Sequence, residues 1–184
     1  MRFTARTRIK PPRQKAKLFM SPYLVVPLLV LIALVQTTLL PIFLPGPVRP
    51  DLMLMLVVGW GVVHGNGQAT LLGFGGGILL DLLSGTPFGL QALTLGAIGF
   101  LADSLQTTFF RSNIFIPLAT IFVATLMVYI GSAAALQTLG YPVSWAIYIF
   151  NIVLPTAILN TALMPFMYWA LRRLDRVVRP RLTW

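Results

Sequence analysis

Residues 69–103 read ATLLGFGGGILLDLLSGTPFGLQALTLGAIGFLAD, and two spacings inside them decide the fold class. Ala69, Gly73, Gly77 and Asp81 recur every four residues. After the turn Ser84-Gly85-Thr86-Pro87, the residues Gly89, Ala92, Gly96, Gly99 and Asp103 recur at steps of 3, 4, 3 and 4. Such steps place side chains on one face of a helix. The stretch therefore reads as two helices joined by a turn, each with a small-residue stripe ending in an acid. Lipid offers no hydrophobic drive between helices, and small residues allow the close approach that replaces it. A stripe can pack against the chain's own helices or against a partner protein's transmembrane helix. Gly75 and Gly76 lie off the stripe, which suits a helix buried on several sides or a bent one.

Composition agrees with a membrane setting. The 184 residues are 57% hydrophobic and 10% charged, with a mean hydropathy of +0.84. A soluble domain carries roughly 25% charged residues. Disorder is excluded by the same apolar content. There are 14 Lys and Arg against 4 acids, all Asp, for a net charge of +10. Cysteine is absent, so disulfides and thiolate metal sites are excluded.

Working outward, the apolar runs give six spans: Phe19–Leu40, Asp51–Val63, Ala69–Leu83, Phe88–Leu105, Ile114–Leu136 and Trp145–Leu171. Pro41, Pro45, Gly46, Pro47 and Pro50 break the first gap, Gly65-Asn66-Gly67 the second, and Gly140-Tyr141-Pro142 the last. Spans 2 and 3 are short for a hydrocarbon core of about 30 Å, and a re-entrant pair fits them as well as two crossings. The predicted fold is an all-α integral membrane protein, a compact bundle of six transmembrane helices over 19–171. Basic tails, 1–18 and 172–184, flank it.

Charge sets the orientation. Seven bases, from Arg2 to Lys17, precede the first span, and five, from Arg172 to Arg181, follow the last. Cytoplasmic flanks are enriched in Lys and Arg, so both termini are expected in the cytoplasm. Six crossings, or four with a re-entrant pair, satisfy this. Only Arg49 then lies outside, since Arg111 falls on the inner side. Tyr141 and Trp145 at one edge and Tyr168 and Trp169 at the other suit interfacial anchors. The basic, then apolar, start reads as a retained signal anchor, because no small-x-small cleavage site follows it; an acid-free, Arg-rich start also fits a transit peptide.

Ionisable residues in spans need partners. Arg49 and Asp51 form an expected outer polar cluster. Asp81 reads as a polar clasp between helices rather than a proton carrier. Asp103 has Arg111 as its nearest base, or is simply solvated at a helix end. His64 has no second His or Glu to complete a metal site. The run 73–77 lacks the Lys-Ser/Thr of a phosphate loop. Pro155 frees the carbonyl of Asn151 and predicts a kink between them. Asn151, Asn160, Gln36, Thr37 and Thr38 can bond across helices or satisfy local backbone.

The segment Arg49-Pro50-Asp51-Leu52-Met53-Leu54-Met55-Leu56, with Gly73 through Leu90 after a short loop, resembles the rod shape-determining MreD family. The Pro-Asp start of the Leu-rich run matches, as does Gly77 to Asp81 followed by Gly85 and Gly89. The specific motifs cover about forty residues; elsewhere the resemblance rests on size, span count and basic tails. The tail before span 1 is longer and more basic than the family suggests. The resemblance implies a bacterial inner-membrane, multi-pass protein of the cell-elongation machinery without enzymatic activity or cofactor. It implies work with the bitopic MreC, and through it with actin-like MreB, the RodA glycosyltransferase and a penicillin-binding transpeptidase. It implies a fold like the substrate-binding subunits of energy-coupling-factor transporters.

Taken on their residues alone, two functions stay open. One is a non-catalytic scaffold that docks another protein's helix; the resemblance implies that it then helps organise peptidoglycan synthesis and cell shape. Its candidate packing or partner residues are Gly73, Gly77, Asp81, Gly85, Gly89, Gly96, Gly99 and Asp103. The other is a small-molecule carrier or substrate-binding transporter subunit, suggested by short spans and the kinked span 6. An enzyme is disfavoured by the lack of a zinc motif, a Ser-His motif or an acid cluster. The basic tails suit anionic lipid. Nothing in them supports nucleic-acid binding.

Overall fold

The computed structural model describes residues 22–64, 67–104 and 115–178, and among them every regular element is helical. Six rods follow in order. α1 comprises Pro22–Leu34, a π-helical turn Val35–Leu39 and Leu40–Phe43. α2 is Leu52–His64, α3 is Gln68–Ser84, α4 is Leu90–Ser104 and α5 is Phe115–Thr138. α6 comprises Trp145–Tyr148, a π-helical turn Ile149–Val153 and Leu154–Val178. These bounds follow the apolar runs to within a few residues. The exception is α6, which continues to Val178, beyond the expected end at Leu171. The N-terminal tail 1–18, Gly65 and Asn66, Arg111 and the residues after Val178 lie outside the described segments.

Among the described residues, three stretches are long and apolar enough to cross a membrane: Val25–Phe43, Pro117–Thr138 and Trp145–Arg173. The chain is a membrane protein by that measure. α2, α3 and α4 are shorter, at 13, 17 and 15 residues. At 1.5 Å per residue they reach roughly 20–26 Å, less than a hydrocarbon core of about 30 Å.

Of the short helices, α2 is the inner one. Nine consecutive residues of α2, Met53 through Gly61, are buried. A helix that is apolar all round needs neighbours on every side, and α2 has them: α1, α3, α4, α5 and α6 all pack on it. Its glycines set the approach. A Cβ on Gly61 would lie 2.6 Å from Ala102 Cβ and 3.1 Å from Ala69 Cβ, and one on Gly59 would lie 2.6 Å from Leu171 Cδ1. The helices around it turn large apolar side chains outward, among them Val26, Leu31, Leu71, Leu93, Val123 and Phe166. Lipid is the solvent that suits such a surface.

Both π-helical turns sit in the same register before a proline. The Leu40 N–H reaches back five residues to Val35 O, and Pro41 follows. The Leu154 N–H reaches Ile149 O, and Pro155 follows. Proline lacks an N–H and its ring crowds the carbonyl four residues back. Widening the turn just before it makes room for the ring. The irregularity expected between Asn151 and Pro155 therefore takes the form of a π turn.

Candidate functional site

The two small-residue stripes face each other. α3 and α4 form the closest helix pair in the described residues. A Cβ on Gly77 would lie 2.5 Å from Gln91 O and 2.6 Å from Ala92 N. One on Gly73 would lie 2.8 Å from Leu95 C, and one on Gly99 2.6 Å from Ala69 C. Real Cβ atoms do not sit that close to backbone, so these three positions require glycine. Gly96 is different: its Cβ would rest 3.6 Å from Phe74 Cβ, in ordinary contact. Gly85 and Gly89 are turn residues, not packing residues. Their φ values of +66° and +95° belong to the left-handed region that L side chains avoid.

Acids lock both ends of this pair. Asp81, near the end of α3, accepts from the N–H groups of Gly89 at 2.9 Å, Gln91 at 2.9 Å and Ala92 at 3.1 Å. Those donors open α4. Asp103, near the end of α4, accepts from Thr70 N–H at 2.9 Å, Thr70 hydroxyl at 2.8 Å and Ala69 N–H at 3.3 Å. Those donors open α3. The first turn of a helix has N–H groups without intrahelical partners, and it favours negative charge. Because the helices run antiparallel, each one's terminal acid meets the other's first turn. The clasp is thus reciprocal, and Asp103 serves as a cap, with its Thr70 partners on α3.

A second polar cluster lies at the Asp51 end of α2. Asp51 Oδ1 accepts from Leu54 N–H at 2.9 Å and from Gln36 Nε2 at 3.0 Å. Gln36 Oε1 accepts from Met53 N–H at 2.8 Å. The Asp51 N–H donates to Asn160 Oδ1 at 2.9 Å, and Asn160 Nδ2 donates to Thr125 Oγ1 at 3.2 Å. One acid and two amides thus tie α1, α2, α5 and α6 together. Gln36 sits in the π turn of α1, the kind of irregularity that recurs at functional positions. Arg49 does not pair with the acid. Its Nε donates to Leu44 O at 3.1 Å. Asn151 is exposed, and the amide that bonds across helices in α6 is Asn160. Thr125, Tyr129 and Gln91 belong to this end too, and by sequence they are ordinary residues of apolar helices.

Arg49, Asp51, Gln36, Thr37, Gln91 and Tyr129 line one cleft of about 350 Å³. An apolar groove of about 600 Å³ runs between α4 and α5, with Leu101, Val123 and Met127 beside Ala102, Ala119 and Ala124. Among the described residues no His, Asp or Glu cluster could hold a metal ion.

At the other end of α2, the Trp60 Nε1–H donates to Gln68 Oε1 at 3.0 Å, and the His64 ring stacks on Trp60 at 4.0 Å. This holds the α2–α3 turn. In α6, Arg172 lies 4.4 Å over the Tyr168 ring and Arg173 5.3 Å over Trp169.

Compared with known families, residues 17–178 match the family described as rod shape-determining protein MreD. The chain belongs to the MreD family. The match runs through all six helices of this MreD chain, well past the forty residues that carried the resemblance. No curated protein and no solved structure matches it. MreD is a shape-determining family, so a part in rod shape follows for the chain.

Proposed function

We propose that this MreD chain is a non-catalytic scaffold of the bacterial cell-elongation machinery. It crosses the inner membrane six times with both termini in the cytoplasm, and basic tails 1–18 and 172–184 flank the helical domain 19–171. It docks an MreC-like bitopic protein, and through that partner serves an MreB-like filament, a RodA-like glycosyltransferase and a penicillin-binding transpeptidase. The tails rest on anionic lipid. The family match over residues 17–178 carries this reading.

The geometry supports a particular docking face. Gly73, Gly77 and Gly99 are taken up between α3 and α4, so they are helix-packing residues. The α4–α5 groove remains open, apolar and floored by alanines, which suits a single transmembrane helix packing closely. Co-purification with a tagged MreC-like protein tests this. Ala119→Trp and Val123→Trp should abolish capture, whereas Ile158→Trp, exposed on α6, should not. Full capture by both groove variants would move the docking face elsewhere. A carrier subunit is the second reading, favoured by the polar cleft beside Asp51.

A further inference from the structure

The cleft at the Asp51 end holds polar groups that the fold does not use. Both bonds to the Asp51 carboxylate go to Oδ1, which leaves Oδ2 without a donor among the described residues. Arg49 spends only its Nε, on Leu44 O, and its two terminal nitrogens have no acceptor among them. Neither the Gln91 side-chain amide nor the Tyr129 hydroxyl has a hydrogen-bond partner among the described residues. All four residues line the same cleft. A cation and an anion thus face one space without forming an ion pair.

Opposite charges that line one cleft without pairing suit a ligand that carries both complementary charges. Asp51 is only 8% exposed. The cleft volume of about 350 Å³ falls in the range of small-molecule sites, roughly 300–1,000 Å³. Apart from Ser84, its remaining wall is apolar, with Leu40, Pro41, Leu80 and Leu83 among it. A ligand that fits carries an anion and a primary ammonium a few bonds apart, with an apolar continuation.

We propose that this cleft binds the amine–phosphate headgroup of an aminophospholipid. The phosphate oxygens accept from the Arg49 terminal nitrogens, a charge-assisted pairing whose planar geometry suits phosphate. The ammonium donates to Asp51 Oδ2 and to the Gln91 carbonyl oxygen. The Tyr129 hydroxyl donates to a remaining phosphate oxygen. The glycerol and first methylenes lie along Leu40 and Leu83. The proposal is independent of the scaffold reading, since it concerns a different face from the α4–α5 groove.

The test uses the full chain in detergent, read by native mass spectrometry with titrated lipid. Phosphatidylethanolamine should be retained at least about tenfold better than phosphatidylglycerol or phosphatidylcholine, the factor expected for one charge-assisted hydrogen bond. Asp51→Asn should remove that preference, whereas Arg49→Gln should weaken retention of all three lipids, since each carries the phosphate. Asp51→Asn keeps an oxygen for Leu54 N–H, so the helix cap survives, and a thermal melt checks it. Competition by free phosphoethanolamine would place the source in the soluble headgroup chemistry, and its failure to compete would place it in the intact lipid. Equal retention of all three lipids, an undiminished preference in the folded Asp51→Asn variant, or unchanged retention in the folded Arg49→Gln variant would overturn the proposal.

Discussion

The α3–α4 pair and the Asp51 cluster hold helices together by opposite means. In the pair, glycine removes side chains so that backbones touch, and each acid serves a helix terminus a few residues away in space. In the cluster, side chains are added rather than removed, and one acid and two amides bridge four helices. The first arrangement has no slack, because its contacts are backbone against backbone. The second has spare donors and acceptors facing an open cleft. Rigidity and spare polar capacity are thus separated along the same short helices.

The difference can be broken most severely at Gly77 and Gly73. Gly77→Leu drives a side chain into the backbone of Gln91 and Ala92, and a loss of at least about 3 kcal/mol in thermal unfolding in detergent is expected. Gly131→Leu is the contrast, because nothing lies within 4 Å of its added Cβ; it should be neutral or slightly stabilising. Next comes Asp81→Ala, which strands three N–H groups at the start of α4 and should cost roughly 3 kcal/mol. Asp103→Ala, at a half-buried cap, should cost about 1–2 kcal/mol. The two acids act at opposite ends of the pair, so the double variant should be additive within about 0.5 kcal/mol. Coupling well beyond that would mean that the ends communicate. Arg49→Ala should be the mildest, within about 0.5 kcal/mol, since its one bond is to an exposed loop carbonyl.

Much of the fold was legible in the sequence because membrane helices are long apolar runs broken by Gly and Pro. The stripes were legible as packing faces, but not as facing each other, because spacing fixes a face and not its neighbour. The same limit hid the role of Asp103. Sequence distance pointed it toward Arg111, which lies outside the described residues, and only the antiparallel packing brings its carboxylate to Thr70 on α3. Arg49 and Asp51 were joined by proximity in sequence, yet the loop geometry gives Leu44 O to the arginine and Gln36 to the acid. Gly85 and Gly89 share the stripe's residue type but serve the turn through positive φ. Thr125, Tyr129 and Gln91 carry no local motif, and only the assembled helices bring them to the cleft.

The most direct test of the account uses the absence of cysteine from the chain. The Cβ built on Gly96 lies 3.6 Å from Phe74 Cβ, within the separation a disulfide needs. A Phe74→Cys/Gly96→Cys variant, oxidised in intact membranes and counted for free thiols, should lose both thiols while remaining a monomer on a denaturing gel. Thiols that stay free, or bonds that form only between chains, would show that the stripes of α3 and α4 do not meet within one molecule.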